Sequence, residues 1–210
     1  MSVGRLVETE DDVAEGAAWL AAQDPRLAAA LTACGPLPLR RKPDGFAELL
    51  SAIVSQQVSV ASARALWSNL EEAQVITPEA VLRQSPEALR ALGLSRQKAR
   101  YAHALAAAGI DYDALRRAPD SEVIETLTAV TGIGVWTAEI YAMFSLGRAD
   151  VFAPGDLALQ EAARAIYALP ERPTERALRE MSLAWSPWRA VAARLFFTYY
   201  RHIKQRDGIT

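Results

Sequence analysis

The segment Leu127-Thr-Ala-Val-Thr-Gly-Ile-Gly-Val-Trp-Thr-Ala138 gives the strongest local indication of the fold. Apolar residues before its glycines lie at helical spacing and predict an amphipathic helix: Ile124, Leu127 and Val130. A second helix begins near Val135. Two glycines around one apolar residue are typical of a tight turn with positive φ angles. We expect the side chain of Ile133 to tuck between the two helices.

The start of that second helix is a candidate anion site. Unpaired backbone N–H groups and the positive end of the helix dipole meet there, so a DNA phosphate fits without a basic side chain. The residues predicted to form this phosphate-binding hairpin are Thr131, Gly132, Ile133, Gly134, Val135, Trp136 and Thr137. Taken alone, the pattern equally fits an ordinary corner between two helices.

The rest of the chain also indicates helices joined by short turns. Four dipeptides pair an N-cap residue with proline at the first helical position: Asp24-Pro25, Thr77-Pro78, Ser85-Pro86 and Ser186-Pro187. Glycines stand where helices would stop: Gly35, Gly93, Gly109 and Gly147. Alternating strand patterns are nearly absent, so we predict an all-α fold of about ten to twelve short helices.

Composition narrows the class of protein. The 210 residues are 51% hydrophobic, enough for a sizeable core. Neither a signal-peptide pattern nor an apolar run of about 18 residues is present, so we expect no membrane span and a cytoplasmic bacterial protein. The lone Cys34 excludes a four-cysteine zinc or iron–sulfur site, and His103 and His202 are too separated to suggest a metal site.

The formal net charge of −2 weighs against a nucleic-acid partner, but the charge is unevenly distributed. Residues 1–24 carry six acidic residues and one basic residue. The remaining chain therefore has 22 basic and 19 acidic residues. A hairpin that binds phosphate through its backbone would in any case need no lysine or arginine.

Asp156 is the candidate catalytic residue. The segment Val151-Phe-Ala-Pro-Gly-Asp156 follows the hairpin and precedes a predicted helix from Leu157 to about Tyr167. In that position Asp156 is also a good N-cap residue, so helix capping is the competing interpretation.

Five segments together resemble the helix–hairpin–helix (HhH-GPD) DNA glycosylase superfamily, and within it the AlkA-type 3-methyladenine DNA glycosylase II family. In the family's order they are Ile53-Val-Ser-Gln-Gln-Val-Ser-Val-Ala61, Leu92-Gly-Leu-Ser-Arg-Gln-Lys-Ala99, Gly132-Ile-Gly-Val-Trp-Thr-Ala138, Pro154-Gly-Asp156 and Trp185-Ser-Pro-Trp-Arg189. The resemblance implies two helical lobes with the active-site cleft between them. One lobe spans about residues 45–145, with the wedge loop and hairpin; the other combines about 1–44 with 146–210.

The resemblance implies a base-excision-repair enzyme, a DNA-3-methyladenine glycosylase II-type N-glycosyl hydrolase that acts on double-stranded DNA containing damaged bases. The damaged nucleotide would be flipped out of the duplex. Gln57 would wedge into the gap with Gln56 beside it, although both also fit a solvated helix end. Asp156 would stabilise the oxocarbenium-like sugar or orient the attacking water.

The expected substrates are alkylated purines of the 3-methyladenine and 7-methylguanine type. Such bases are cationic and stack well on aromatic rings. The predicted base pocket consists of Trp136, Trp188, Ile140, Tyr141 and Trp185. Core packing is the competing role for each tryptophan.

The resemblance also implies a monofunctional enzyme without a lyase step. Trp136 stands where bifunctional relatives carry a Schiff-base lysine, and the chain's lysines are Lys42, Lys98 and Lys204. No cofactor is expected for the chemistry, and no iron–sulfur cluster, because the C-terminal region lacks cysteines. A structural monovalent cation, Na⁺ or K⁺, is expected on the hairpin carbonyls of Thr128, Val130 and Ile133.

Gly155 stands where the family has a first aspartate, so a helper role for a second carboxylate is expected to be absent. The main alternative is a non-catalytic helix–hairpin–helix DNA-binding module in which Asp156 only caps a helix. A second alternative is an α-helical ligand-binding or regulatory domain with no DNA role. We expect a monomer.

Overall fold

The computed structural model describes residues 3–206, which are mostly helical. The helices are α1 (Glu10–Gln23), α2 (Pro25–Cys34), α3 (Phe46–Val54), α4 (Val60–Glu72), α5 (Pro78–Leu82), α6 (Pro86–Ala91), α7 (Arg96–Ala107), α8 (Tyr112–Arg117), α9 (Asp120–Thr128), α10 (Val135–Phe144), α11 (Leu157–Ile166), α12 (Glu175–Ser182) and α13 (Arg189–Arg206), with one 3₁₀ turn at Leu183–Trp185.

The all-α prediction is confirmed: the described range contains no strand, only an isolated bridge between Leu6 and Arg148. The thirteen helices exceed the ten to twelve expected. The excess reflects short helices such as α5, α6 and α8, each of which starts at a capping residue of its own.

The described chain divides into two compact units. Unit 1 runs from Lys42 to Tyr141, and unit 2 combines Val3–Arg41 with residues 142–206. No helix in the described range is long and apolar enough to cross a bilayer.

Unit 1 is built around α7, which packs against α3, α5 and α6. The apolar stripe of α3 is buried, as its spacing predicts: Phe46, Leu49, Leu50, Ile53 and Val54. Unit 2 is built around α13, which packs against α11, α2 and α1. Gly16 brings α1 close to this core, because a Cβ there would clash with the side chains of Trp188 and Val191.

Local capping chemistry sets many helix boundaries. Three of the four Pro-containing caps form as predicted, with the side chains of Asp24, Thr77 and Ser85 accepting hydrogen bonds from the first turns of α2, α5 and α6. All four predicted stop glycines follow helices and have positive φ: Gly35, Gly93, Gly109 and Gly147.

The fourth cap prediction is wrong. Ser186 does not cap a helix, because α13 begins only at Arg189. The Ser186 hydroxyl instead donates a 2.8 Å hydrogen bond to the carboxylate of Asp150. The Ser186 hydroxyl thus bonds to a carboxylate 36 residues away rather than to a backbone N–H of a following helix.

Candidate nucleic-acid interface and catalytic loop

The hairpin between α9 and α10 is closed by its own backbone. The Ile133 N–H donates to the Val130 carbonyl at 3.0 Å, and the Ala138 N–H donates to the Gly134 carbonyl at 3.0 Å. The side chain of Ile133 is buried, as predicted. The second bond is the first of α10, so the N–H groups of the preceding turn face outward from the end of the helix.

The two hairpin glycines have different roles. Gly132 has φ of +101°, and a Cβ there would run into the ring of Tyr101. Gly134 does not share this positive φ, which corrects the prediction made for both glycines. A Cβ on Gly134 would meet nothing within 4 Å. Its backbone is therefore open to the close approach of a ligand.

The predicted wedge segment is a tight turn at the end of α3. Gln57 is exposed and has φ of +55°, an uncommon conformation for a residue other than glycine. Strained exposed positions of this kind are enriched at functional sites.

The side chain of Gln56 makes a contact within unit 1. Its amide nitrogen donates a 3.0 Å hydrogen bond to the carbonyl of Gly132, so it ties the wedge turn to the hairpin. This contact runs against the expectation that Gln56 stands beside Gln57 at the wedge. Gln57 alone carries an exposed amide at this turn.

Lys98 supports the end of α3, a role that was not predicted from the sequence. It is buried, and its ammonium donates a 2.6 Å hydrogen bond to the carbonyl of Val54 at the end of α3. Burial lowers the pKa of this lysine. Helical spacing with the buried Ala102 and Leu105 places Lys98 on the apolar face of α7, and that spacing could have revealed it.

Asp156 ends a loop that is held at several points. Its own N–H donates to the Ala153 carbonyl at 3.0 Å, and the buried amide of Gln160 donates to the Pro154 carbonyl at 2.8 Å. One carboxylate oxygen of Asp156 accepts the N–H groups of Ala158 and Leu159, at 2.8 and 3.3 Å. The capping geometry anticipated for Asp156 is therefore present, and the side chain is half-buried.

A bidentate ion pair anchors the chain just before this loop. Arg189, at the start of α13, donates to the Asp150 carboxylate through Nε at 2.7 Å and Nη2 at 2.9 Å. The Ala190 N–H also donates to the Ala149 carbonyl at 2.9 Å. The arginine of the Trp185–Arg189 segment thus has a structural partner that the sequence pattern did not identify.

A carboxylate lies next to Gly155 although the sequence places none at that position. A Cβ on Gly155 would stand 3.3 Å from Oε2 of Glu175, at the start of α12. Arg179 donates a 3.1 Å hydrogen bond to the other oxygen of Glu175. This carboxylate comes from a residue that is distant in sequence, and the expectation that no second carboxylate has a helper role stays a prediction.

The predicted aromatic pocket residues divide by exposure. Trp136 is 46% exposed and Ile140 is half-buried, whereas Tyr141 is buried. The Tyr141 hydroxyl accepts a 2.7 Å hydrogen bond from the Gly45 N–H, and burial raises the pKa of Tyr141 to about 12.

The other two tryptophans belong to the core of unit 2. Trp185 packs on Phe152 and Phe196, and its indole N–H donates to the Tyr167 hydroxyl at 3.1 Å. Trp188 is buried with the Arg5 guanidinium 4.3 Å from its ring centroid. Core packing, the alternative that the sequence left open, therefore describes both side chains in this structure.

The hairpin carbonyls expected to bind a cation lie at the end of α9 and in the turn. The Val130 carbonyl already accepts a hydrogen bond from the Ile133 N–H, and it keeps a second lone pair that a cation could use. Across residues 3–206, no three or more His, Cys, Asp and Glu side chains group so as to hold a metal ion.

Known proteins share this arrangement of sequence and structure. Residues 50–188 match the model of the HhH-GPD superfamily base excision DNA repair proteins. DNA-3-methyladenine glycosylase 1 of Schizosaccharomyces pombe is 32% identical over 72% of this chain and 71% of its own length.

Two solved structures extend the comparison. DNA-3-methyladenine glycosidase from Bacillus halodurans superposes with a TM-score of 0.81 and 33% identity, covering 96% of this chain and 94% of that one. The S. pombe 3-methyladenine DNA glycosylase in complex with abasic DNA has a TM-score of 0.75 and 28% identity, covering 87% of this chain and 95% of that one.

Proposed function

The chain belongs to the HhH-GPD superfamily of base excision DNA repair proteins, and we propose from that premise that it is a monofunctional DNA glycosylase. Its proposed substrates are alkylated purines of the 3-methyladenine and 7-methylguanine type in duplex DNA. The observation that carries the proposal is the hairpin with an open Gly134, accompanied in the same chain by the braced loop that ends at Asp156. The names of the similar proteins support the choice of substrate.

The hairpin is proposed to hold a phosphate of the DNA backbone. The open approach to Gly134 and the exposed start of α10 support this role. A helix N-terminus attracts anions through its N–H groups and dipole, so the contact needs no basic side chain.

Gln57 is proposed to enter the duplex when the damaged nucleotide leaves the stack. Its exposure and its left-handed backbone support the role, because such uncommon backbone conformations are enriched at functional sites. The hydrogen bonds made by Gln56 and Lys98 stiffen this turn before DNA arrives. Gln56 is accordingly proposed to brace the wedge rather than to act as one.

Asp156 is proposed to act on the sugar. The bond between C1′ and the purine nitrogen breaks, its electron pair leaves with the base, and positive charge develops on C1′ and the ring oxygen. A carboxylate favours that charge, and a water oxygen then bonds to C1′ as its proton leaves. An alkylated base is already cationic, so it departs neutral without a general acid.

Trp136 is the proposed stacking surface for the cationic base, with Ile140 as an aliphatic neighbour one helical turn away. The exposure of the Trp136 ring supports this choice. Tyr141, Trp185 and Trp188 are proposed to support the pocket rather than to stack on the base, and their burial favours this role.

A lyase step is not proposed, because the lysines have other uses. Lys98 is buried on the Val54 carbonyl, and Lys42 pairs with Glu48 at 2.6 Å. The ammonium of Lys204 lies 5.6 Å from the ring centroid of Tyr200. The hairpin carbonyls of Thr128, Val130 and Ile133 are proposed to hold a monovalent cation, and the active species is proposed to be a monomer.

The test is incubation of the wild-type protein with methylated duplex DNA, with chromatography of the released bases. We expect free 3-methyladenine and 7-methylguanine, no strand nicking without alkali and no covalent complex after borohydride. Release of undamaged adenine at the same rate would contradict the substrate assignment. Duplex binding without any release would favour the non-catalytic binding module instead.

A further inference from the structure

Two arginines of unit 2, Arg40 and Arg194, lie over one aromatic ring, and two more arginine charges are close to them. Arg40 and Arg41 lie in the loop after α2, and Arg194 and Arg201 lie on α13. The guanidinium carbons of Arg40 and Arg194 are 5.5 and 5.0 Å from the ring centroid of Phe144. Nε of Arg194 donates a 2.9 Å hydrogen bond to the carbonyl of Leu39, which fixes the loop that carries Arg40.

These cations have no ion-pair partner in the described chain. Among residues 3–206, none of the four arginines has a carboxylate within salt-bridge distance. Arg194 is fully buried, and its Nη2 has no hydrogen-bond partner within the described range. Burial, and then the charges of Arg40 and Arg41, lower the pKa of Arg194 to about 10.

Clustered like charges with no carboxylate at salt-bridge distance are costly, and a bound anion lowers that cost. Arg40 is exposed, and its guanidinium carbon lies 5.5 and 5.1 Å from the ring centroids of Phe144 and Phe197. Guanidinium edges match the geometry of phosphate oxygens. The cluster is thus suited to a phosphate.

The cluster also lies near the catalytic loop. Partial desolvation and the charge of Arg201 lower the pKa of Arg40, whereas the negative charge of Asp156 raises it. The effect of the Asp156 charge requires its carboxylate to be close to Arg40, so Arg40 and the proposed catalytic carboxylate lie in one region of unit 2.

We propose that Arg40, Arg41, Arg194 and Arg201 form a second DNA-phosphate site, which binds a backbone phosphate of the strand whose base is released at Asp156. The proposal rests on the proposed glycosylase function. The arginine site differs from the hairpin site in chemistry, because the hairpin uses backbone N–H groups whereas the arginine site uses guanidinium charge. Arg194 forms the buried floor, and Arg40 and Arg201 supply the exposed donors.

The test compares wild type with the double variant Arg40→Gln/Arg201→Gln, leaving the buried Arg194 intact. The probe is a fluorescein-labelled duplex with one tetrahydrofuran abasic analogue, titrated by anisotropy at several NaCl concentrations. The matched control is Arg176→Gln/Arg172→Gln, since both of these exposed unit 2 arginines pair with glutamates instead. Thermal melts check that all variants fold.

We expect the cluster variant to bind roughly tenfold more weakly at low salt, with a slope of log Kd against log salt that is shallower by about one. The control should retain the wild-type slope. Equal affinity and slope in the cluster variant and the control would overturn the second phosphate site. If the wild type binds this duplex but releases no methylated base, the glycosylase function fails, and the arginine result still reports on phosphate binding.

A second arm locates the contact. A neutral methylphosphonate replaces one phosphate at a time on either side of the abasic analogue. One position should weaken wild-type binding but leave the cluster variant unaffected, as expected when both changes remove the same interaction. If every replacement weakens the cluster variant as much as the wild type, the arginines do not bind a phosphate near the lesion and the proposal fails.

Discussion

The ammonium of Lys98 donates a 2.6 Å hydrogen bond to the carbonyl oxygen of Val54, the last residue of α3. The Lys98→Met variant would keep much of the side-chain volume but leave this carbonyl without its donor. We expect a loss of about 1–3 kcal/mol in the free energy of unfolding, measured by urea denaturation. We also expect weaker DNA binding, because the turn that presents Gln57 follows directly.

The matched control is Lys42→Met, which makes the same substitution at an exposed lysine paired with Glu48. It should change the stability by less than about 1 kcal/mol. If Lys98→Met is as stable as the control and binds DNA equally well, the buried ammonium does not support the wedge turn.

Gly132→Ala should damage the hairpin. Alanine is strained at φ of +101°, and its Cβ would clash with Tyr101. The two effects together predict a loss of about 2–4 kcal/mol, measured by thermal or urea unfolding. A variant with wild-type stability would show that Tyr101 moves away and the backbone relaxes at little cost.

Gly134→Ala should leave stability nearly unchanged but weaken DNA binding. Its Cβ would occupy open space in the protein, where the phosphate is proposed to approach. We expect a shift in the free energy of unfolding within about 1 kcal/mol and a severalfold higher Kd for duplex DNA by anisotropy. Unchanged affinity would remove the backbone of Gly134 from the DNA interface.

Gly155→Asp should be destabilising, because the new carboxylate would meet Glu175 at contact distance. We expect a loss of about 1–2 kcal/mol at neutral pH, which adding Glu175→Ala should largely restore. The measurement is a double-mutant cycle in Tm. Additive effects of the two substitutions would show that Glu175 does not occupy the place of a side chain at 155.

Stability at alkaline pH should depend on Tyr141. Its pKa is raised by burial to about 12, above the unfolded value of about 10, so the folded state keeps a proton that the unfolded state loses. The resulting stability is complete below pH 10 and is lost as pH rises towards 12. Tyr141→Phe should flatten this decline in a pH series of urea midpoints, leaving the part due to Tyr167, whose pKa burial also raises to about 12, and to Tyr112, whose pKa burial raises as well. An unchanged decline would contradict the burial of an un-ionised Tyr141.

The features that could be predicted from the sequence depend on residues that are close together along the chain. Asp24 and Thr77 can be predicted as helix caps because each side chain accepts a hydrogen bond from a backbone N–H within three residues along the chain. The burial of Ile133 follows from the spacing of its own hairpin. Such features need no knowledge of distant contacts.

The remaining features depend on partners far along the chain. Ser186 resembles the other caps, but Asp150 binds its hydroxyl. Gln56 bonds to a carbonyl 76 residues away, and Lys98 to one 44 residues away. Trp188 is a core residue because Gly16 lets α1 approach it. A pattern of spacings carries no information about these tertiary contacts.

The most direct test of the central claim is the single-turnover rate of 3-methyladenine release by wild type and Asp156→Asn under saturating protein. Asparagine caps helices as well as aspartate does, so α11 and the affinity for abasic DNA should be retained. We predict a rate lower by roughly 10²–10³-fold, about 3–4 kcal/mol of transition-state stabilisation. A variant that releases the base at the wild-type rate would show that Asp156 is only a helix cap and would contradict the proposed mechanism.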